Sequence, residues 1–370
     1  MMPPETLKSR LIRRIETEGP MGLDEYMALC LGDRQDGYYP QAGRLGPRGD
    51  FITSPEISQM FGELLGLWLA LWWQSSGSPA PLPVVELGPG NGVMMADMRR
   101  AARAVPAFAE ALVPLFYETS PALRAEQRKH HPDAQFIDRL VDAPKAPVAF
   151  VGNEFLDALP VQQFTFHDGR WLQRLVGHED GVLRPVIDPH GPDAAALLAD
   201  RVPDTPPKEG DILEVAIAAE GVIAEVAAHI KSHGGVALFI DYGSAAAKDY
   251  GSSLQAIAAH QRVDPFADPG NADVTAHVPF ARLATVAERA GVKVAPVLTQ
   301  GAFLMRMGLG ARAQALTEAS PADASKLGRV VHRLTAPDEM GELFKVIALV
   351  PSAMPLPPVF QDVANERKGA

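Results

Sequence analysis

The sequence predicts an α/β fold of Rossmann-like type, with an N-terminal helical part and a β-rich insertion. Three observations carry that expectation. Short apolar runs of strand length alternate with helix-length segments from Val84 onward, the pattern of a parallel sheet covered on both faces. A glycine loop, Glu86-Leu87-Gly88-Pro89-Gly90-Asn91-Gly92, joins the first of those runs to the helix after it. The rhythm then breaks between residues 161 and 216, where the pattern turns antiparallel.

Taken in order, residues 5–18 and 22–31 read as short amphipathic helices. The following segment, DGYYPQAGRLGPRGDFITSPE, has neither helical nor strand periodicity and reads as a loop. Ser54-Pro55-Glu56 resembles a helix start, with Ser54 as N-cap and Pro55 at the first helical position, and the helix is expected to reach about Trp73. Trp68 and Trp72 share a face of it, which suits core packing. Strands are expected at Val84–Leu87, Leu115–Glu118, Ala134–Ile137 and Val148–Gly152, with helices at 92–104 and 121–130. Val161–Phe166 and Trp171–Val176 flank His167-Asp168-Gly169-Arg170, a hairpin signal, and 187–210 is irregular. A helix at 215–231, a strand at Val236–Asp241, a helix at 279–290 and strands near 292–298 and 343–350 complete the pattern. The expected organisation is a helical segment at 1–79, a core at 80–160 and 211–352, an insertion at 161–210 that could hold a partner, and a tail at 353–370.

Composition narrows the function. The 370 residues are 47% hydrophobic and 21% charged, ordinary for a globular chain. A formal net charge of −11 argues against a nucleic-acid partner held on a general basic surface. One cysteine, Cys30, excludes an internal disulfide and a thiolate cluster, and His260 and His277 lack the neighbours that metal binding needs. The apolar run Leu64–Trp73 is too short to span a bilayer, which takes roughly 20 residues. The N-terminal segment lacks a signal-type apolar core, so a cytoplasmic location without membrane insertion is expected.

The glycine loop separates two cofactor classes. A dinucleotide fingerprint needs a third glycine at position 93, where this chain has Val93. Here the pattern is E-x-G-x-G-x-G, with Glu86 in the strand and Gly88, Gly90 and Gly92 in the turn, as in Rossmann-like methyltransferases. The next strand ends in Glu118, whose carboxylate can accept from both ribose hydroxyls. Together they point to S-adenosyl-L-methionine as cofactor.

At this point the chain resembles the MidA family of methyltransferases. The resemblance rests on Gly49-Asp50-Phe51-Ile52-Thr53-Ser54-Pro55-Glu56, the glycine loop, Glu118-Thr119-Ser120-Pro121 and Asn153-Glu154-Phe155-Leu156-Asp157-Ala158-Leu159-Pro160-Val161. Asp241-Tyr242-Gly243, Asp273–Val278 and Gln300-Gly301-Ala302-Phe303-Leu304 extend it to nearly the whole chain. It implies a seven-stranded class I methyltransferase sheet. It also implies methylation of an arginine in a core subunit of respiratory complex I, the activity of the family's mitochondrial members. A small-molecule methyltransferase and a non-catalytic assembly chaperone of the same fold are the alternatives.

An arginine nucleophile arrives charged, because a guanidinium holds its proton far above neutral pH, and must shed a proton as the methyl arrives. Carboxylates suit that task, because they clamp a guanidinium and can take its proton. Glu154 is the first candidate, with Asp157 as partner and Asn153 beside them; the other reading is an acid complementing a helix N-terminus. Asp50, Thr53 and Ser54 are expected to close over the cofactor, Thr53 and Ser54 at its amino-acid end; Asp138 is read either as reaching its adenine or, equally, as a solvated turn acid. Glu56 and Asp241 are expected to face substrate; for Asp241, bonding to the backbone of the following turn is an equal alternative.

Overall fold

The computed structural model describes residues 5–41, 53–246 and 249–369. Asp50, with Gly49, Phe51 and Ile52 of the same block, lies outside the described residues. Two compact units form: one from Ile52–Leu156, Gly221–Ala245 and Phe280–Ala370, the other from Met1–Phe51, Asp157–Glu220 and Ala246–Pro279.

The first unit holds the expected sheet. Seven of its nine strands form one continuous path: β1 (Leu82–Leu87), β2 (Leu112–Tyr117), β3 (Gln135–Ile137), β4 (Val148–Asn153), β5 (Gly235–Ser244), β6 (Val292–Val294) and β7 (Phe344–Pro351). The spatial order is 3-2-1-4-5-7-6. Neighbours from β3 to β5 run parallel, and β7 runs antiparallel to both β5 and β6. Every residue of β1 and β4 is buried, which explains their largely apolar sequences, with Glu86 and Asn153 as the polar exceptions. Chain direction across the sheet reverses between β1 and β4, the switch point at which such sheets open a crevice beyond their carboxyl ends. Leu87 pairs with Tyr117 on one side and Gly152 on the other, so Gly88, Glu118 and Asn153 leave three adjacent strands at one level.

Helices pack the sheet where the sequence places them, at Val93–Ala102, Pro121–His130, Ile217–His233 and Phe280–Ala290. Three expectations give way. The helix after Thr53 is two helices, Ser54–Ile57 and Gln59–Ser75, with Thr53 rather than Ser54 as the first cap. Ser58 separates them in extended conformation (φ −162°), its hydroxyl accepting from the Met60 N–H. Between β6 and β7 lie helices at Gln300–Arg306, Leu309–Ala319 and Ala324–Thr335, which the strand–helix rhythm did not register. Nor is the end of the chain a mere tail: Phe360 is fully buried in edge contact with Trp68, whose indole N–H donates to the Pro358 carbonyl.

The second unit joins what the sequence separates. The expected hairpin is Gln162–His167 with Arg170–Glu179, closed by Asp168-Gly169 at φ +50° and +76°, the two left-handed residues a type I′ turn requires. Asp180-Gly181 repeats that turn and adds Val182–Ile187. Met21–Gly22 and Ile212–Val215 complete an antiparallel sheet over Phe164, Trp171, Leu198 and Leu213, so the N-terminal segment and the insertion are one unit. A three-stranded sheet spans Gln255–Ala258, Gln261–Val263 and Asp273–Thr275. Among the described residues, no helix is long and apolar enough to cross a membrane.

Candidate active site

All three loop glycines adopt left-handed backbone, with φ of +64° at Gly88, +52° at Gly90 and +79° at Gly92. They are not equivalent. Gly88 is exposed and Gly90 half-buried, so their main chain forms an accessible edge, although a Cβ at Gly88 would meet the Phe155 ring at 2.9 Å. Gly92 is buried, and a Cβ there would meet the His131 ring at 3.1 Å. The main chain is thus accessible at Gly88 and Gly90 and covered at Gly92, and at both Gly88 and Gly92 a neighbouring ring fills the space a Cβ would take. The loop closes on itself through Gly92 N–H to Pro89 O (2.7 Å) and rests on β2 through Gly88 N–H to Tyr117 O (3.1 Å). Glu86 lies beneath it, 1% exposed. Burial raises its carboxyl well above the usual range, against the Met95 N–H it accepts from.

Glu118 follows β2 directly. Its Oε1 accepts from Ser120 N–H (2.7 Å) and its Oε2 from the Gln127 amide (3.3 Å). The same amide nitrogen donates to Gly90 O at 2.7 Å. Burial raises the Glu118 carboxyl, and the Ser120 N–H and Gln127 amide pull it back. Sequence reading passed over Gln127 and over His131, whose Nε2 meets Gly92 O at 2.8 Å. They stand four residues apart, Gln127 in the last turn of Pro121–His130 and His131 as its C-cap, and that spacing was the available signal.

At the neighbouring strand end, Asn153 closes β4 and Glu154 turns left-handed at φ +51°. No helix follows, which removes the helix-dipole reading of Glu154 and Asp157. The Glu154 N–H donates to Ile240 O (2.9 Å), and its Oε1 accepts from Asn153 Nδ2 and Ser54 N–H, both at 2.9 Å. The Thr53–Glu56 block is thereby latched to β4, and Glu56 latches it to the glycine loop, accepting from Asn91 Nδ2 at 3.0 Å. Burial raises the Glu56 carboxyl as well. Among the described residues, the buried atoms Glu56 Oε2, Glu86 Oε2, Gln127 Oε1 and Asn153 Oδ1 have no hydrogen-bond partner.

Other expected site residues are placed differently. The Ser54 hydroxyl is fully buried and faces Gln300 Oε1 at 3.4 Å, so it is turned into the core rather than toward a ligand; Thr53 makes no side-chain capping bond. Glu56 engages the glycine loop through Oε1 and keeps its buried Oε2 without a hydrogen-bond partner. Asp241 shapes backbone: its Oδ2 accepts from Phe155 and Leu156 N–H (3.1 and 2.8 Å) and its Oδ1 from Tyr242 N–H (2.9 Å). Those donors carry the Glu154 turn, so Asp241 acts on the site through the chain. Asp138 leaves 77% of its side chain exposed and pairs with Arg124, which also donates to the Glu118 carbonyl. Asp157 belongs to the second unit, where it is buried and its carbonyl accepts from Ala276 N–H at 3.0 Å.

A family model of S-adenosyl-L-methionine-dependent methyltransferases matches residues 64–298. The protein arginine methyltransferase NDUFAF7 homolog of Drosophila melanogaster is 33% identical, over 94% of this chain and 86% of its own length. The protein arginine methyltransferase NDUFAF7 of Homo sapiens is 31% identical, over 92% and 82%. A crystal structure from Burkholderia thailandensis, bound to S-adenosyl-homocysteine, superposes with a TM-score of 0.80 at 28% identity, covering 94% of this chain and 92% of that one.

Proposed function

The chain belongs to the S-adenosyl-L-methionine-dependent methyltransferase family, and from that premise we propose that it methylates an arginine side chain of a protein. Its cofactor is S-adenosyl-L-methionine. The residues at the switch point fit it: an open glycine edge at Gly88 and Gly90, with a carboxylate, Glu118, at the next strand end to accept from sugar hydroxyls. When bound, the cofactor supplies an electrophilic methyl group on a sulfonium.

The chain supplies orientation and charge. Glu154 is the residue proposed to grip the acceptor, and its rigid placement carries the reading. A non-glycine residue in left-handed backbone costs about 1–2 kcal/mol, and such strain persists where surrounding contacts impose it. Here Ile240, Asn153 and Ser54 impose it, from β5, β4 and a helix start. A carboxylate so fixed can hold a guanidinium in one orientation and take its proton. Asn153, with its buried Oδ1, adds an acceptor for a second guanidinium N–H. The names of the 33% and 31% identical relatives support arginine as acceptor. Family resemblance adds a complex I subunit as its source.

The test is methylation of a proteome from a deletion strain by the purified protein and isotope-labelled cofactor. Mass spectrometry is expected to find label on an arginine, in a complex I subunit. Label confined to small molecules would overturn the reading.

A further inference from the structure

Two buried side chains, Gln127 at the end of one helix and the C-cap residue His131 just after it, reach back to the glycine loop. Pro121–His130 follows β2, and Gln127 and His131 stand four residues apart at its C-terminal end, 0% and 1% exposed. Gln127 Nε2 donates to Gly90 O (2.7 Å) and His131 Nε2 meets Gly92 O (2.8 Å). A carbonyl only accepts, so the ring hydrogen of His131 is on Nε2. Burial lowers the pKa of His131, which favours the neutral ring, and the ring stacks edge-on against Phe116 at 5.3 Å. The Gln127 amide also reaches Glu118 Oε2 at 3.3 Å. One NH2 group thus ties the glycine corner to the carboxylate at the neighbouring strand end.

We propose that Gln127 and His131 are positioning residues for the cofactor: they bind the loop carbonyls from the buried side, which fixes the open edge at Gly88 and Gly90, and Gln127 aims Glu118 at the sugar hydroxyls. The proposal rests on the reading that this corner and Glu118 hold the cofactor. Neither side chain touches it. Loop carbonyls and a buried carboxylate must be satisfied in any case, and here the same donors also set the spacing between two ligand-binding groups. That spacing is what a purely structural role leaves untested.

The experiment is calorimetric titration of S-adenosylhomocysteine and its 2′-deoxy analogue into the full chain, which needs no acceptor. Gln127→Met keeps the shape and removes the donor; His131→Phe keeps the stacking on Phe116 and removes its hydrogen bond. Each is expected to weaken S-adenosylhomocysteine by about 10-fold, the size of a lost hydrogen bond to a charged or fixed group. Deleting the 2′-hydroxyl is expected to cost wild type about 10-fold and Gln127→Met about 2-fold, because an unaimed carboxylate no longer discriminates. Cooperatively folding variants that bind both compounds as wild type does would overturn the proposal.

Gly90→Val separates the two readings. Normal binding in that variant removes the corner as cradle, whereas lost binding there with normal binding in Gln127→Met removes only the positioning role. Should the variants not fold, hydrogen exchange on the wild-type chain decides. Added S-adenosylhomocysteine is expected to protect 121–131 as well as 86–92, and protection confined to the loop would contradict the tie.

Discussion

Two carboxylates at parallel strand ends, Glu118 after β2 and Glu154 after β4, are held by different means. Glu118 is fixed locally, by the N–H of Ser120 two residues on and by an amide nine residues on. Glu154 is fixed from afar, by the N–H of Ser54 a hundred positions earlier and a backbone bond to β5, and it pays for its place with left-handed backbone. The difference separates their tasks. A local turn suffices to present an acceptor to a sugar, whereas an acid that must aim a charged nucleophile needs several elements to agree.

Substitutions can break that comparison. The largest effect is expected at Glu154→Gln, which keeps size and loses charge. Methyl transfer should fall at least about 100-fold with S-adenosylhomocysteine affinity within about 2-fold of wild type. A rate near wild type removes Glu154 as the grip. Glu118→Gln should do the reverse and weaken S-adenosylhomocysteine about 10- to 30-fold in calorimetry, as sugar hydroxyls lose a charged acceptor. Ser54→Pro tests the distant tether: the first helical position tolerates proline, and only the N–H to Glu154 and a buried hydroxyl contact are lost. Transfer should drop about 10-fold with cofactor affinity kept. Equal losses in both would show that the helix start serves the cofactor instead.

The smallest effect concerns Asp97, a buried carboxylate behind the loop with Arg100 as its ion-pair partner and no backbone N–H to it. Burial raises its pKa from 3.8 to about 6. A raised carboxyl stabilises the fold fully below its unfolded pKa, and that contribution is lost as pH rises through about 6. Asp97→Asn should therefore flatten the fall in Tm between about pH 4 and pH 6, measured by scanning calorimetry. An unchanged slope would mean that Asp97 titrates normally.

Legibility followed the same division. The glycine loop, the strand ending at Glu118 and the helix from Pro121 are written in adjacent residues, because turn, cap and strand are local events. The seven-stranded order followed from family resemblance, with the apolar runs marking where most strands lie. Contacts across long chain distances were not legible: Ser54 to Glu154, Trp68 to Phe360, or Met21–Gly22 pairing with Leu175 and Val176. The helices between 300 and 335 were missed because no strand separates them, so a reading keyed to alternation had nothing to count. Asp180-Gly181 was legible and overlooked, since it carries the same turn chemistry as the hairpin that was found. Gln127 shows the limit most clearly. A glutamine on a helix face has no signature of its own until the loop it grips is placed above it.

The central claim is that left-handed, open main chain at Gly88 and Gly90 receives the cofactor. Calorimetric titration of S-adenosylhomocysteine into the wild-type chain and into Gly90→Val tests it most directly. Valine at φ +52° is both strained and obstructive, so binding should be lost in a variant that still unfolds cooperatively. Wild-type affinity in a folded Gly90→Val chain would contradict the account.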